Sequence, residues 1–229
     1  MLYIIGSPIG NAQDISYRAA QTLLASDIIL AEDTRTARNL LHSVYDLFFP
    51  NKKKVFAKII SYYKEKELNK LPSILEDLKN GKNISLISES GMPVISDPGS
   101  LLVQAVVREG IGFTVVPGPS AVTTAVVHAG ALTKEFMFIG FFPKKQGKLV
   151  KKLASIKVFK AMMPKLSIIA FESPHRINAT LIAIKNYLPN TKISIARELT
   201  KKYEEVIRSK GNDIDIKREY KGEITIVIS

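Results

Sequence analysis

Short apolar runs that alternate with segments of helical periodicity leave this chain few ways to fold. "LYIIG", "DIILAED", "NISLIS" and "FTVVPG" are strand-length, and each runs into Gly, Pro, Asp, Glu or Ser. Between the first two, Ile15, Ala19, Leu23 and Leu24 fall on one helical face behind Asp14, the expected N-cap. Helices are also expected over 34–41, over 68–79 with Gly81 as the stop, and over 101–108, with a strand over 59–62. The alternation predicts βαβ units around a largely parallel sheet, an α/β fold.

The pattern changes at Pro117-Gly118-Pro119, where Ser120 stands to cap a small-residue helix through Ala129. This places a boundary between an N-terminal α/β domain, 1–117, and a C-terminal α/β domain, 118–229. The second contains five strand candidates, "FMFIGFFP", "LSIIAFE", "KISIARE", "YEEVIRS" and "EITIVIS". The last three are too close together for crossover helices, which predicts antiparallel pairing and a mixed sheet. Leu149, Leu153, Ile156 and Phe159 predict an amphipathic helix within the lysine-rich segment 144–165.

The 229 residues hold 33 Lys plus Arg against 21 Asp plus Glu, a formal charge of +12. That balance favours a polyanionic partner, with lysine used simply for solvation as the plainer alternative. Without cysteine there are no disulfides, thiolate zinc sites or Cys nucleophiles. Three histidines, His42, His128 and His175, make a His-rich metal centre unexpected, and no metal is assigned. The amino terminus lacks a basic region and is interrupted by Pro8 and Gly10, so it does not read as a signal peptide. No apolar segment reaches membrane-spanning length, and a soluble cytoplasmic protein is expected.

Neither G-x-G-x-x-G nor G-x-x-x-x-G-K-[ST] is present, so dinucleotide and P-loop sites lack their parts. Four strands instead end in polar knots: "GSPIGN" at 6–11, "AEDTR" at 31–35, "SESGMPVISDPG" at 88–99 and "ESPHR" at 172–176. Singly, each is ordinary turn chemistry. Together, on parallel neighbours, they converge at one strand edge, where Asp97 or Ser120 can hydrogen-bond a nucleoside-like cofactor.

These knots, with "VVPGPSAVTTA", "FIGFFPKKQGK" and "ARELTKKYEEV", resemble in order and spacing the tetrapyrrole methylase superfamily, and more narrowly its subgroup acting on small-subunit ribosomal RNA. The resemblance runs from Leu2 to "GEITIVI", and the pair "EDTRT" and "ESPHR" is specific to that subgroup. It implies a two-domain fold with S-adenosylmethionine in a cleft between the domains, a homodimer, and methylation of a cytidine ribose 2′-hydroxyl in the decoding region of 16S ribosomal RNA. Carried onto this sequence, the cofactor contacts fall at Ile9, Asp97, Ser100, Ser120, Ala121, Phe171, Gly222 and Glu223. The chain departs from the family at Ser90 and Met92, lacks a histidine after "SY", and stops at Ser229 where many members continue.

Glu32, Asp33, Glu172 and His175, each in a strand-end knot, are the candidates for accepting the hydroxyl proton. Glu32 and Asp33 have an alternative as helix N-terminal charge, and His175 as a hydrogen-bonded helix-start residue. Arg35, Arg38 and Arg176 bind RNA phosphate or pair with these carboxylates. The basic segments 52–54, 144–152 and 201–202, with Lys144, Lys145 and Lys201 foremost, are expected on the RNA backbone. Two other functions fit the same residues: a tetrapyrrole methyltransferase, and a ribosome-binding factor that has lost catalysis.

Overall fold

Ile and Val fit a pleated surface that is buried on both faces, and the apolar runs become strands accordingly. The computed structural model describes residues 1–51, 53–131 and 134–229. The chain divides into two units, Met1–Ser120 and Ala121–Ser229, and the expected boundary after residue 117 lies just ahead of that division.

In the first unit, β1 (Leu2–Ile5), β2 (Ile28–Ala31), β3 (Lys58–Ser61), β4 (Ile84–Leu86) and β5 (Phe113–Val116) form one sheet in the order β3-β2-β4-β1-β5. Every pairing in it is parallel. Helices α1 (Tyr17–Ala25) and α2 (Thr34–Phe48) pack Ala19, Leu23, Leu41 and Val44 against Ile5 and Ile29 on one face. Helices α3 (Glu67–Lys79) and α4 (Ser100–Arg108) pack Ile74, Leu78, Leu102 and Val106 against Ile4, Leu30 and Leu86 on the other. Successive residues such as Ile29 and Leu30 thus enter opposite layers, as the strand period of two requires.

Two local expectations are corrected. Asp14 ends a short 3-10 turn, Ala12–Asp14, and the cap of α1 is Ser16, whose hydroxyl accepts from the Ala19 amide at 3.1 Å. A two-residue shift gives the exposed turn its own polar cap and still buries Ala19 and Leu23. Helix α2 continues past Leu41 to Phe48, because its apolar stripe extends through Val44 and Tyr45 and nothing breaks it before Pro50.

In the second unit, β6 (Phe136–Phe141), β7 (Ser167–Glu172), β8 (Lys192–Arg197), β9 (Glu205–Lys210) and β10 (Ile224–Ile228) form a sheet in the order β6-β7-β10-β8-β9. Only β6 and β7 are parallel; the other pairings are antiparallel, as the crowding of the last three strands implied. Helices α6 (Gln146–Met162) and α7 (Ile177–Tyr187) cover one face through Leu149, Leu153, Ile156, Leu181 and Ile184. Helix α5 (Ala121–Ala129) packs against β7, β8, β9 and β10 from the other side. Phe159, expected in the α6 stripe, is 41% exposed. It lies roughly 80° around the helix from Leu149, past the edge of the buried stripe. Among the described residues, no helix is long and apolar enough to cross a membrane.

Candidate functional site

Because the first sheet is wholly parallel, the carboxyl ends of its strands share one edge, and the knots at 6–11, 31–35 and 88–99 all leave from it. The fourth, 172–176, follows β7 in the second unit. Strands β1 and β4 are neighbours, yet their following helices α1 and α4 pack on opposite faces of the sheet. Open α/β sheets form ligand crevices where adjacent strands diverge in this way.

Side chains and backbone strap that crevice together. Ser7 bridges Gly91: its amide donates to the Gly91 carbonyl at 2.8 Å, and its hydroxyl lies 3.1 Å from the Ser88 carbonyl and 3.2 Å from that of Gly91. Gly6 and Gly118 meet with no side chain between them. A Cβ on Gly118 would stand 2.6 Å from the Gly6 carbonyl oxygen, and one on Gly6 would stand 2.6 Å from the Gly118 nitrogen. Met92, the departure from the family pattern, packs its sulfur against the same point, 2.7 Å from where a Gly6 Cβ would sit.

The loop after β4 stores strain. Val94 has φ 76° and Ser96 φ 70°, in the left-handed region that a β-branched residue rarely enters. Such conformations cost about 1–3 kcal/mol each and persist where surroundings enforce them, commonly at ligand loops. The enforcing contacts are the Val94 amide on the Pro98 carbonyl at 3.2 Å and the Gly99 amide on Glu67 Oε1 at 2.7 Å. Glu67 is 3% exposed and holds the start of α4 from α3. Its charge and the surrounding burial push the Tyr62 hydroxyl's pKa well up, burial being the larger cause.

Outside this loop opens a cavity of about 680 Å3, lined by Glu32, Tyr63, Lys64, Glu65, Ser96, Asp97 and Ser100 among others. Two of the expected cofactor residues, Asp97 and Ser100, and one expected proton acceptor, Glu32, therefore share a wall. Desolvation, then the charges of Glu89 and Glu65, hold the Glu32 carboxyl above the usual glutamate value. Its neighbour Asp33 is different: it caps α2, accepting from the Arg35 and Thr36 amides at 2.6 and 3.2 Å. The Arg35 side chain, 3.2 Å away, followed by those amides, holds its pKa below the usual range. Arg35 and Arg38 are exposed on the first turns of α2, Arg35 spent partly on Asp33. Ile9 is buried at 4%, against Gly91, so its side chain shapes the strap. Ser120 closes the first unit just after the Gly118 contact.

In the second unit, Ala121 begins α5, while Phe171, Glu172, Gly222 and Glu223 gather at one end of the sheet, since Phe171 pairs with Thr225 and Glu172 with Ile224. Phe171 is half-buried, edge-on to Phe138 and Phe141 with ring centroids 4.8 and 5.5 Å away. Glu172 is 2% exposed and fully engaged: it accepts from the Ser173 amide at 2.7 Å, Arg176 at 2.6 Å and the Thr180 hydroxyl at 2.5 Å. Arg176 also donates to the Phe142 carbonyl at 3.1 Å. His175 is exposed. Glu198, which sequence reasoning missed, folds its carboxylate over Gly222 and accepts from the Glu223 amide at 3.0 Å. Lys201 bridges Glu198 and Glu223 at 3.0 and 3.1 Å.

Of the basic segments, Lys144 and Lys145 are exposed at the start of α6, and Lys54 pairs with Asp46 at 2.6 Å. Lys52 lies outside the described residues. Among the described residues, no group of three or more His, Asp or Glu is placed to hold a metal ion.

The family model described as tetrapyrrole (corrin/porphyrin) methylases matches residues 1–215. A ribosomal RNA small subunit methyltransferase I from Thermotoga maritima is 40% identical over 231 residues, spanning 100% of this chain and 97% of its own length. A protein of the same name from Bacillus subtilis is 37% identical over 214 residues, covering 93% of this chain and 68% of itself. Among solved structures, the methyltransferase CobJ superposes with a TM-score of 0.72 at 17% identity, covering 99% of this chain and 92% of that one. The cobalt precorrin-4 methyltransferase CbiF gives 0.63 at 20% identity, covering 99% and 93%.

Proposed function

This chain belongs to the tetrapyrrole (corrin/porphyrin) methylase family, and from that premise we propose that it is an S-adenosylmethionine-dependent methyltransferase acting on the ribose 2′-hydroxyl of a cytidine in the decoding region of 16S ribosomal RNA. The observation that carries the choice of substrate is the 40% identity, along the whole chain, to a ribosomal RNA small subunit methyltransferase I. Net charge of +12 fits an RNA substrate, and the cytoplasm is where such a substrate is met.

The strand-end crevice suits a nucleoside-like cofactor: strapped glycines bring bare backbone to its surface, and the strained loop presents Asp97 and Ser100. Proposed contacts are Ile9, Asp97, Ser100 and Ser120 from the first unit, and Ala121, Phe171, Gly222 and Glu223 from the second. When bound, the sulfonium supplies a methyl group that is already activated. The chain's task is then to hold the ribose oxygen in line with the methyl–sulfur bond, a pre-orientation that contributes about 7–11 kcal/mol. As that methyl group is transferred, the proton of the ribose hydroxyl would pass to a base on this chain. Glu32 is the preferred acceptor. Asp33 is committed to its helix cap and Glu172 to Arg176 and Thr180, whereas Glu32 faces the cavity with its pKa raised by desolvation and then by Glu89 and Glu65. Arg35, Arg38, Lys144, Lys145, Arg176 and Lys201 are the proposed RNA contacts, Arg176 and Lys201 only through whatever capacity their internal carboxylates leave. A homodimer completes the reading, supported by Phe136, Met137 and Phe141 exposed on the edge strand β6.

Labelled methyl transfer tests it. Purified small ribosomal subunits and a uroporphyrinogen-type tetrapyrrole are offered in parallel with the protein and cofactor, and the labelled RNA is mapped by mass. Label on one cytidine ribose is expected. Label on the tetrapyrrole alone overturns the substrate, and absence of cofactor binding by calorimetry at millimolar concentration overturns the enzyme in favour of a binding factor.

A further inference from the structure

A second cavity, of about 510 Å3, lies within the second unit between the carboxyl end of α5 and one end of the sheet. Its walls include Ala129, Gly130, Lys165, Ser167, Lys192, Ser194 and Arg208. They include the start of β7, the start of β8 and the last residues of β9, and in the antiparallel ladder that end is opposite to the one holding Phe171, Gly222 and Glu223. None of the residues lining the cavity is among those proposed above for cofactor or substrate.

Strand periodicity selects what faces it. Ile193, Ile195 and Ile168 point into the α6–α7 core, so their neighbours Lys192, Ser194 and Ser167 point to the α5 side, and Arg208, paired directly with Ser194, joins them. Ser167 is 1% exposed, and its hydroxyl has no hydrogen-bond partner among the described residues. A buried hydroxyl left in that state has lost its water and gained no partner in exchange. Something polar that fits above it would supply that partner. Arg208 is already aimed: Nε and Nη2 both donate to the His128 carbonyl at the end of α5, the first at 2.9 Å, which fixes the guanidinium plane. Its Nη1 makes no hydrogen bond among the described residues and remains available to an acceptor, as does the ammonium of exposed Lys192, which forms no ion pair among them. No Asp or Glu side chain lines the cavity; the one carboxylate at its wall is the α-carboxylate of Ser229, whose amide donates to the Lys192 carbonyl at 2.9 Å.

We propose that this cavity binds a phosphate group, with Arg208 and Lys192 meeting its charge and the Ser167 hydroxyl donating at the buried floor. A tetrahedral phosphate oxyanion suits the set: a planar fork fixed at one edge, a point charge opposite, and a single short-reach donor below. The phosphate is either free or a backbone phosphodiester of RNA. The second source rests on the RNA methylation reading; the binding site itself does not.

The test uses the full chain labelled with 15N and titrated with inorganic phosphate, then with a small-subunit ribosomal RNA transcript, with no cofactor present. Saturable shifts of the Ser167, Ser194 and Arg208 amides are expected, and Lys192→Glu should weaken phosphate binding at least ten-fold. Ser167→Val fills the floor with an apolar group and should do the same without loss of folding. If RNA displaces phosphate and Lys192→Glu lowers the slope of log affinity against log salt by about 1, the source is the RNA backbone. If phosphate shifts these amides and RNA leaves them unmoved, the source is free phosphate. An absence of saturable shifts in the wild-type chain, or shifts unchanged in both variants, overturns the site whatever the outcome of the methylation assay.

Discussion

Replacing Gly118 with alanine adds one methyl group at the tightest backbone contact of the first unit. That carbon would sit 2.6, 2.7 and 2.8 Å from the oxygen, carbonyl carbon and Cα of Gly6. Ordinary contact begins near 3.4 Å, so the two backbones must part by 3.4 − 2.6 = 0.8 Å. Neither can rotate away, because both neighbours are main chain. The Gly6 amide also donates to Val116 at 3.0 Å, and this bond stretches with them. Overpacking of this kind costs about 1–3 kcal/mol and a weakened hydrogen bond about 0.5–1.5 more, a destabilisation of roughly 2–4 kcal/mol. At about 2–4 °C per kcal/mol for a chain of this size, the melting temperature should fall by roughly 5–15 °C. Gly147→Ala is the control: the same methyl group in the first turn of α6 meets nothing within 4 Å, and should stabilise by about 0.4–1 kcal/mol. Urea unfolding of both variants measures the difference. Gly118→Ala within about 0.5 kcal/mol of wild type, the range of an ordinary surface change, would refute the steric reasoning.

Three further outcomes are expected. Glu32→Gln should slow methyl transfer by about 10²–10⁴-fold. Because the Glu32 pKa is raised on folding, its ionised form opposes the fold increasingly as pH rises through that value, so Glu32→Gln at pH 8 should leave thermal stability equal or higher; a destabilised variant would mark Glu32 as structural. Glu172→Ala removes the buried partner of Arg176 and Thr180 and should cost about 3 kcal/mol in denaturant unfolding, the low end for a broken buried pair since Arg176 still reaches water. A cost under about 1 kcal/mol, typical of exposed pairs, contradicts this. For Glu198, burial would raise the carboxyl, but the Glu223 amide and Lys201 outweigh it and hold the pKa low. The support it gives is thus complete above the unfolded value and is lost as pH falls through the folded one. Amide exchange at residues 198–204 and 222–223 should accelerate only below roughly pH 5; acceleration on raising pH from 6 to 8 beyond the intrinsic rate is the opposite sign and would rule it out.

The strands were legible because burial on both faces leaves little freedom of composition: Ile28, Ile29 and Leu30 have no polar option. The antiparallel pairing of β8, β9 and β10 followed from chain length alone, since there is little room for a crossover helix between them. Helix limits were less legible. Asp14 and Ser16 are equally good caps by chemistry, and only the packing of Ala19 and Leu23 decides between them. The loops that make up the candidate site stood out in the sequence, and what fastens them did not. Glu67 sits among lysines and glutamates that read as solvated surface, yet it is buried on the Gly99 amide. The meeting of Gly6 and Gly118 joins residues far apart in the chain, and no local pattern announces it. Likewise, four candidate proton acceptors were indistinguishable until their tertiary partners, such as Thr180 for Glu172, were known.

The bond from Glu67 to the Gly99 amide attaches the far end of the strained loop to a helix instead of to the sheet. Residues 94–98 are thus moored at one end to β4 and at the other to the first turn of α3, which itself borders the opening, so that wall of the cavity is only as fixed as the helix behind it.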